Sequence, residues 1–147
     1  MFGQLLKRLI EPQTEPLPDT DARLALGALL VRIAKSDHSY AVEEISRIDR
    51  ILASRYNLNA VEAAKLRAHC EKVEHDAPDT VRFTRAIKDA VPYEDREAVV
   101  EALWDVALAD GMRSDEENSI LRMASSFLGV NDRDSALARQ RVEAGRK

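Results

Sequence analysis

Two stretches of this chain, residues 24–34 and 99–109, are apolar around most of a helical circumference. A helix without a polar face has to be covered on every side, so both are expected in the interior, and the remaining chain has to supply the cover. Apolar residues recur at helical spacing almost throughout from Asp21 onward, and no segment alternates with period two for long enough to form a strand. Gly and Pro number only five each in 147 residues, which leaves most of the chain free for regular structure. The expected fold class is all-α, a single compact bundle of about seven helices.

Start and stop signals divide the chain further. Thr20 or Asp21 caps a first helix to about Ser36, with Leu24, Ala25, Ala28, Leu29 and Ile33 on its inner face. A second runs from about Tyr40 to Tyr56 with Ile45, Ile48, Ile51 and Leu52 inward. Asn57 to Asn59 break the chain, and Asn59 caps a third through Val61, Ala64, Leu66, Ala68 and Val73. Pro78 stands at the first helical position of a fourth, which carries Val81, Ile87 and Val91. Pro92 opens a fifth to about Ala109, and Ser114 a sixth ending at Gly129. Asn131 or Asp132 starts a seventh that frays into an Arg-rich end. The expected division is an amphipathic segment with a Pro-rich linker over 1–19, a helical domain over 20–135 and a basic tail over 136–147.

Charge and cysteine usage exclude several functions. The formal net charge is -4, whereas a general nucleic-acid binder needs a basic face for phosphates. The single Cys70 rules out an internal disulfide framework and fits a reducing compartment, so the chain is expected to be cytoplasmic. No apolar run approaches the roughly twenty residues that span a bilayer. Residues 1–10 lack the continuous apolar core and cleavage site of a secretory signal. Their face of Phe2, Leu5, Leu6, Leu9 and Ile10 suits a membrane surface or a partner, but at about ten residues it is expected instead to pack on the domain or on another copy, which leaves self-association open.

The two apolar helices share a plan. Offset by 73 positions, Leu30, Ile33, Ala34, Asp37, Glu43, Glu44 and Ile48 fall on Leu103, Val106, Ala107, Asp110, Glu116, Glu117 and Leu121. A buried helix, an acidic turn and an amphipathic helix occur twice, which predicts two pseudo-symmetric helical hairpins.

The run Ala107-Leu108-Ala109-Asp110-Gly111-Met112-Arg113-Ser114-Asp115-Glu116-Glu117 resembles the Ala-Asp-Gly and trailing Glu signature of the tellurite resistance protein B (TerB-like) family. Residues 34–44 resemble its first copy, with His38 where the Gly of Asp-Gly would stand. The likeness covers about 21–130. It implies an all-helical domain with clustered acidic residues, proposed to bind metal and linked to stress response; it does not imply an enzyme, and none is expected.

Two readings of these carboxylates stand side by side. Ser114 and Glu117 form a capping box, and acidic residues favour a helix N-terminus. Glu43 and Glu44 suit the same role on the second helix, with Ala41 in place of the Ser. Asp37 and Asp110 lie instead at the C-terminal ends of apolar helices, where the dipole disfavours an anion. A nearby Lys or Arg, a turn amide, an Asx-type turn or a cation offsets that cost. Oxygen donors without paired histidines or cysteines suit Ca²⁺, Mg²⁺ or Mn²⁺ over Zn²⁺. An EF-hand loop is excluded, because Asp110 to Glu117 spans eight residues without the alternating ligands. A metal site would combine Asp37, Glu44, Asp110 and Glu117, with Asp115 or a carbonyl, and requires the two turns to lie close together.

Other candidates are weaker. His69, Cys70 and His75 do not share a helical face, so zinc is disfavoured. Trp104 is expected to fill the core, and Tyr40 either to pack or to present its hydroxyl to the first turn. No local Ser-His-Asp pattern or Gly-rich phosphate loop occurs. The leading function is a cation-binding module coupled to a protein partner, followed by a metal-free interaction scaffold and then a carboxylate hydrolase.

Overall fold

A computed structural model describes residues 19–36, 40–77, 80–109 and 115–145, the side chains of 19–21 and 115–117 excepted. Among the described residues there are seven helices and no strands: α1 (Asp19–Lys35), α2 (Val42–Tyr56), α3 (Ala60–Asp76), α4 (Val81–Ala90), α5 (Tyr93–Ala107), α6 (Asp115–Phe127) and α7 (Asp132–Gly145). The two apolar helices lie where their composition requires. Helix α1 touches α2, α3, α4, α5 and α6, while α5 packs on α1, α2, α6 and α7. From Leu24 to Ala34 only Arg32 is not buried.

Helix ends follow local chemistry. Helix α2 stops at Asn57, whose left-handed backbone (φ 55°) lets Leu58 donate to the Ala53 carbonyl. Asn59 then caps α3, with Oδ1 accepting from Glu62 N–H at 2.8 Å and Glu62 Oε1 accepting from Asn59 N–H at 3.0 Å. Helix α6 ends in a Schellman turn. Gly129 (φ 81°) donates to the Ser126 carbonyl and Val130 to that of Ser125.

Two boundaries differ from the sequence expectation. Helix α4 begins at Val81, because the Thr80 carbonyl accepts the first amide hydrogen bonds, from Phe83 and Thr84; Pro78 lies outside the described residues. Helix α7 continues to Gly145 instead of fraying at its arginines. Its buried Ala138 packs into the core, and Arg141 reaches back to Glu101 on α5 at 3.1 Å. Residues 1–18, with their apolar face, also lie outside the described set.

The matched apolar positions of the two stretches are alike in burial. Leu30, Ile33, Ala34 and Ile48, and their matches Leu103, Val106, Ala107 and Leu121, are all 0% exposed. In each hairpin the two helices pack together, and α2 and α6 each also touch the apolar helix of the other hairpin. The polar seam is equally specific. Arg32, the one interruption in the buried run of α1, donates to Glu74 Oε2 at 3.1 Å and to the carbonyls of Glu74 and Ala77 at 2.9 and 3.1 Å. It thereby closes the C-terminal end of α3 with a cation, as the helix dipole favours.

Candidate acidic site

Of the four candidate ligands, Glu44 alone has a described side chain. Asp37 and Asp110 lie outside the described residues, and Glu117 lies on α6 with its side chain outside them. Glu44 occupies the first turn of α2 and is completely buried. Its Oε1 accepts from the Ala41 amide at 3.1 Å. This is the backward half of a capping box; Ala41 has no side-chain oxygen to make the forward half.

The comparison with Glu62 is instructive. Glu62 makes the same backward bond on α3 while remaining exposed. Capping therefore does not require burial. Complete burial separates Glu44 from an ordinary exposed cap. Glu43 beside it is exposed.

The flanks of the two acidic turns meet. Ala109, the residue before Asp110, shares a depression of about 260 Å³ with Val42, Glu43, Ser46, Arg47 and Arg50 at the start of α2. Arg47 links the two hairpins, its Nε standing 3.6 Å from Asp105 Oδ1 on α5. The end of α5 thus reaches the first turn of α2, within which Glu44 lies.

A family model described as Tellurite resistance protein TerB matches residues 23–140. The chain belongs to the TerB family. The match runs from α1 into α7 and so takes in all seven helices. Neither the curated proteins nor the solved structures give a match. Among the described residues of this TerB domain, no helix is long and apolar enough to cross a membrane.

Tyr40, beside the first turn, directs its hydroxyl to α3, where it donates to Glu71 Oε2 at 2.7 Å. Burial first, and then the bond to Glu71 and its charge, push the phenol well above its ordinary range. Glu71 also accepts from Arg67 Nη1 at 3.2 Å, and Arg67 Nε donates to Asp49 at 2.6 Å. Burial works against the Arg67 charge, but hydrogen bonds and attraction from Asp49 and Glu71 outweigh it and raise its pKa. This network ties α2 and the chain before it to α3. The sequence offered only one hint of it, the i to i+4 pairing of Arg67 with Glu71.

Trp104 fills the core as its position on α5 predicts, and it also anchors α7. Its Nε1–H donates to Ser135 Oγ at 3.1 Å, and the Arg139 guanidinium lies 5.6 Å from its ring. Cys70 is buried, and its thiol is pushed up to about 12 by burial and then by the Glu71 charge. At neutral pH it holds its proton, and the thiol form is not the metal-ligating one. Among the described residues, no three His, Cys, Asp or Glu side chains gather as metal ligands do. The acidic turns lie outside that set.

Proposed function

We propose that this TerB domain is a non-enzymatic, cytoplasmic module whose acidic site takes up a divalent cation and couples it to a protein partner in a stress response. The proposed ligands are Asp37, Glu44, Asp110 and Glu117. The observation that carries the reading is the complete burial of Glu44 in the first turn of α2, which Ala109 of the other hairpin also adjoins. A carboxylate held at that junction is an oxygen donor of the kind that hard cations take. The donor set is oxygen only, which fits Ca²⁺, Mg²⁺ or Mn²⁺ over Zn²⁺. When bound, the ion would supply charge compensation to carboxylates drawn from both hairpins.

The bond from Glu44 Oε1 to the Ala41 amide favours a second reading, in which the carboxylates cap helices and the domain is a metal-free interaction scaffold. Calorimetric titration of chelator-treated protein with Ca²⁺, Mg²⁺, Mn²⁺ and Zn²⁺, beside Asp37→Ala and Asp110→Ala, separates the two. Binding that weakens sharply in both variants supports one shared cation site. No heat from the wild type with any of the ions rejects it in favour of the scaffold.

A further inference from the structure

Between α2 and α5 runs an open groove of about 520 Å³ that shares Arg47 and Arg50 with the depression beside Ala109. Its charges do not balance. Three arginines of α2, Arg47, Arg50 and Arg55, face two carboxylates of α5, Glu101 and Asp105. Both carboxylates are engaged already, Asp105 by Arg47 at 3.6 Å and Glu101 by Arg141 at 3.1 Å. Arg50 and Arg55 are exposed, and among the described residues neither makes an ion pair. Small and apolar side chains, Ile51, Ala98 and Ala102, line the groove between the charged walls.

We propose that this groove docks an extended acidic segment of a partner protein, with carboxylates on Arg50 and Arg55 and small apolar side chains on Ile51, Ala98 and Ala102. Guanidinium groups bind carboxylates through paired, charge-assisted hydrogen bonds. The groove follows α2 from Val42 to Arg55, about 20 Å at the helical rise, which an extended segment of about six residues covers. A small molecule would be enclosed on most sides by its pocket, whereas this surface is open along its length. The inference rests on the partner half of the function proposed above and not on its cation half.

Fluorescence anisotropy of the full chain with a labelled peptide alternating Glu and Ala tests it, in Ca²⁺ and in chelator. Saturable binding that falls as salt rises is expected. Reversal of both charges (Arg50→Glu with Arg55→Glu) should weaken it about tenfold or more and admit the matching Lys-Ala peptide. Reversal of Arg122, exposed on α6, should change nothing, and circular dichroism confirms that each variant is folded. Absence of saturable binding, or binding indifferent to the double reversal, overturns the proposal. So does inorganic phosphate binding through Arg50 and Arg55 while the peptide does not. Equal peptide binding in Ca²⁺ and chelator keeps the groove while rejecting its coupling to the cation, so the two readings fail separately.

Discussion

Gly27 of α1 and Cys70 of α3 stand so close that a Cβ on the glycine would overlap the cysteine Sγ and lie 3.0 Å from its Cβ. The glycine is therefore what lets the two helices approach at this point. Gly27→Ala should gain up to about 1 kcal/mol of helix propensity and lose more, because Cys70 is 0% exposed and its sulfur has nowhere to go. A net loss of roughly 1–3 kcal/mol is expected in urea unfolding. Adding Cys70→Ala removes the overlapping atom, so the double variant should recover much of that loss.

The same burial makes stability sensitive to alkali. The Cys70 thiol is raised from an ordinary value of 9.0 to about 12, first by burial and then by Glu71. Between those values the unfolded chain releases its proton and the folded one does not, so folding is disfavoured as pH rises. The contribution is complete below pH 9.0 and is lost toward about 12, at up to about 1.4 kcal/mol per pH unit. Tyr40 and Tyr56, also raised, add to the decline above their ordinary value of 10.0. Urea unfolding from pH 8 to 11 checks this: the wild type should weaken from about pH 9 and Cys70→Ala only from about pH 10.

Arg32 and Lys35 both pair with Glu74, at 3.1 and 2.8 Å, but they should not matter equally. The Arg32 side chain is 16% exposed, against 41% for that of Lys35. Arg32→Met removes the donor to two carbonyls at the end of α3 and one partner of a nearly buried carboxylate, an expected cost of roughly 3 kcal/mol. Lys35→Met should stay within about 1 kcal/mol. Thermal unfolding of the two variants measures the difference, and equal losses would contradict this account of the seam.

The fold was legible where one physical rule dominated. A helix apolar on all sides has to be buried, and that alone identified α1 and α5; Asn59 and Gly129 mark the start of α3 and the end of α6 through side-chain and backbone chemistry that acts locally. Features that depend on a distant partner were not legible. Nothing in the sequence around Gly27 indicates that Cys70 will fill the space above it. The arginines of α7 read as solvated until Glu97, Glu101 and the Trp104 ring are brought beside them. The candidate site divides in the same way. The acidic repeat is visible as a pattern, but Glu44 is separated from Glu43 and Glu62 only by burial, which arises from tertiary packing. Tyr40 likewise donates to Glu71 on α3, a partner 31 positions away that local sequence does not indicate.

Glu44→Gln isolates the question that capping leaves behind. The amide keeps both the shape of the side chain and an oxygen acceptor for the Ala41 N–H, so the existing bond at 3.1 Å is retained. Only the charge is lost. In chelator the variant should still unfold cooperatively, because the capping bond is kept, and its melting temperature sets the baseline for the cation effect. With Ca²⁺ in about hundredfold excess over its Kd, the wild type should gain about 2.7 kcal/mol while Glu44→Gln gains far less. Glu62→Gln, at an exposed cap of the same design, should follow the wild type in both conditions. Equal stabilisation of the wild type and Glu44→Gln would remove Glu44 from the ligand set and leave its burial to be compensated by protein charges alone.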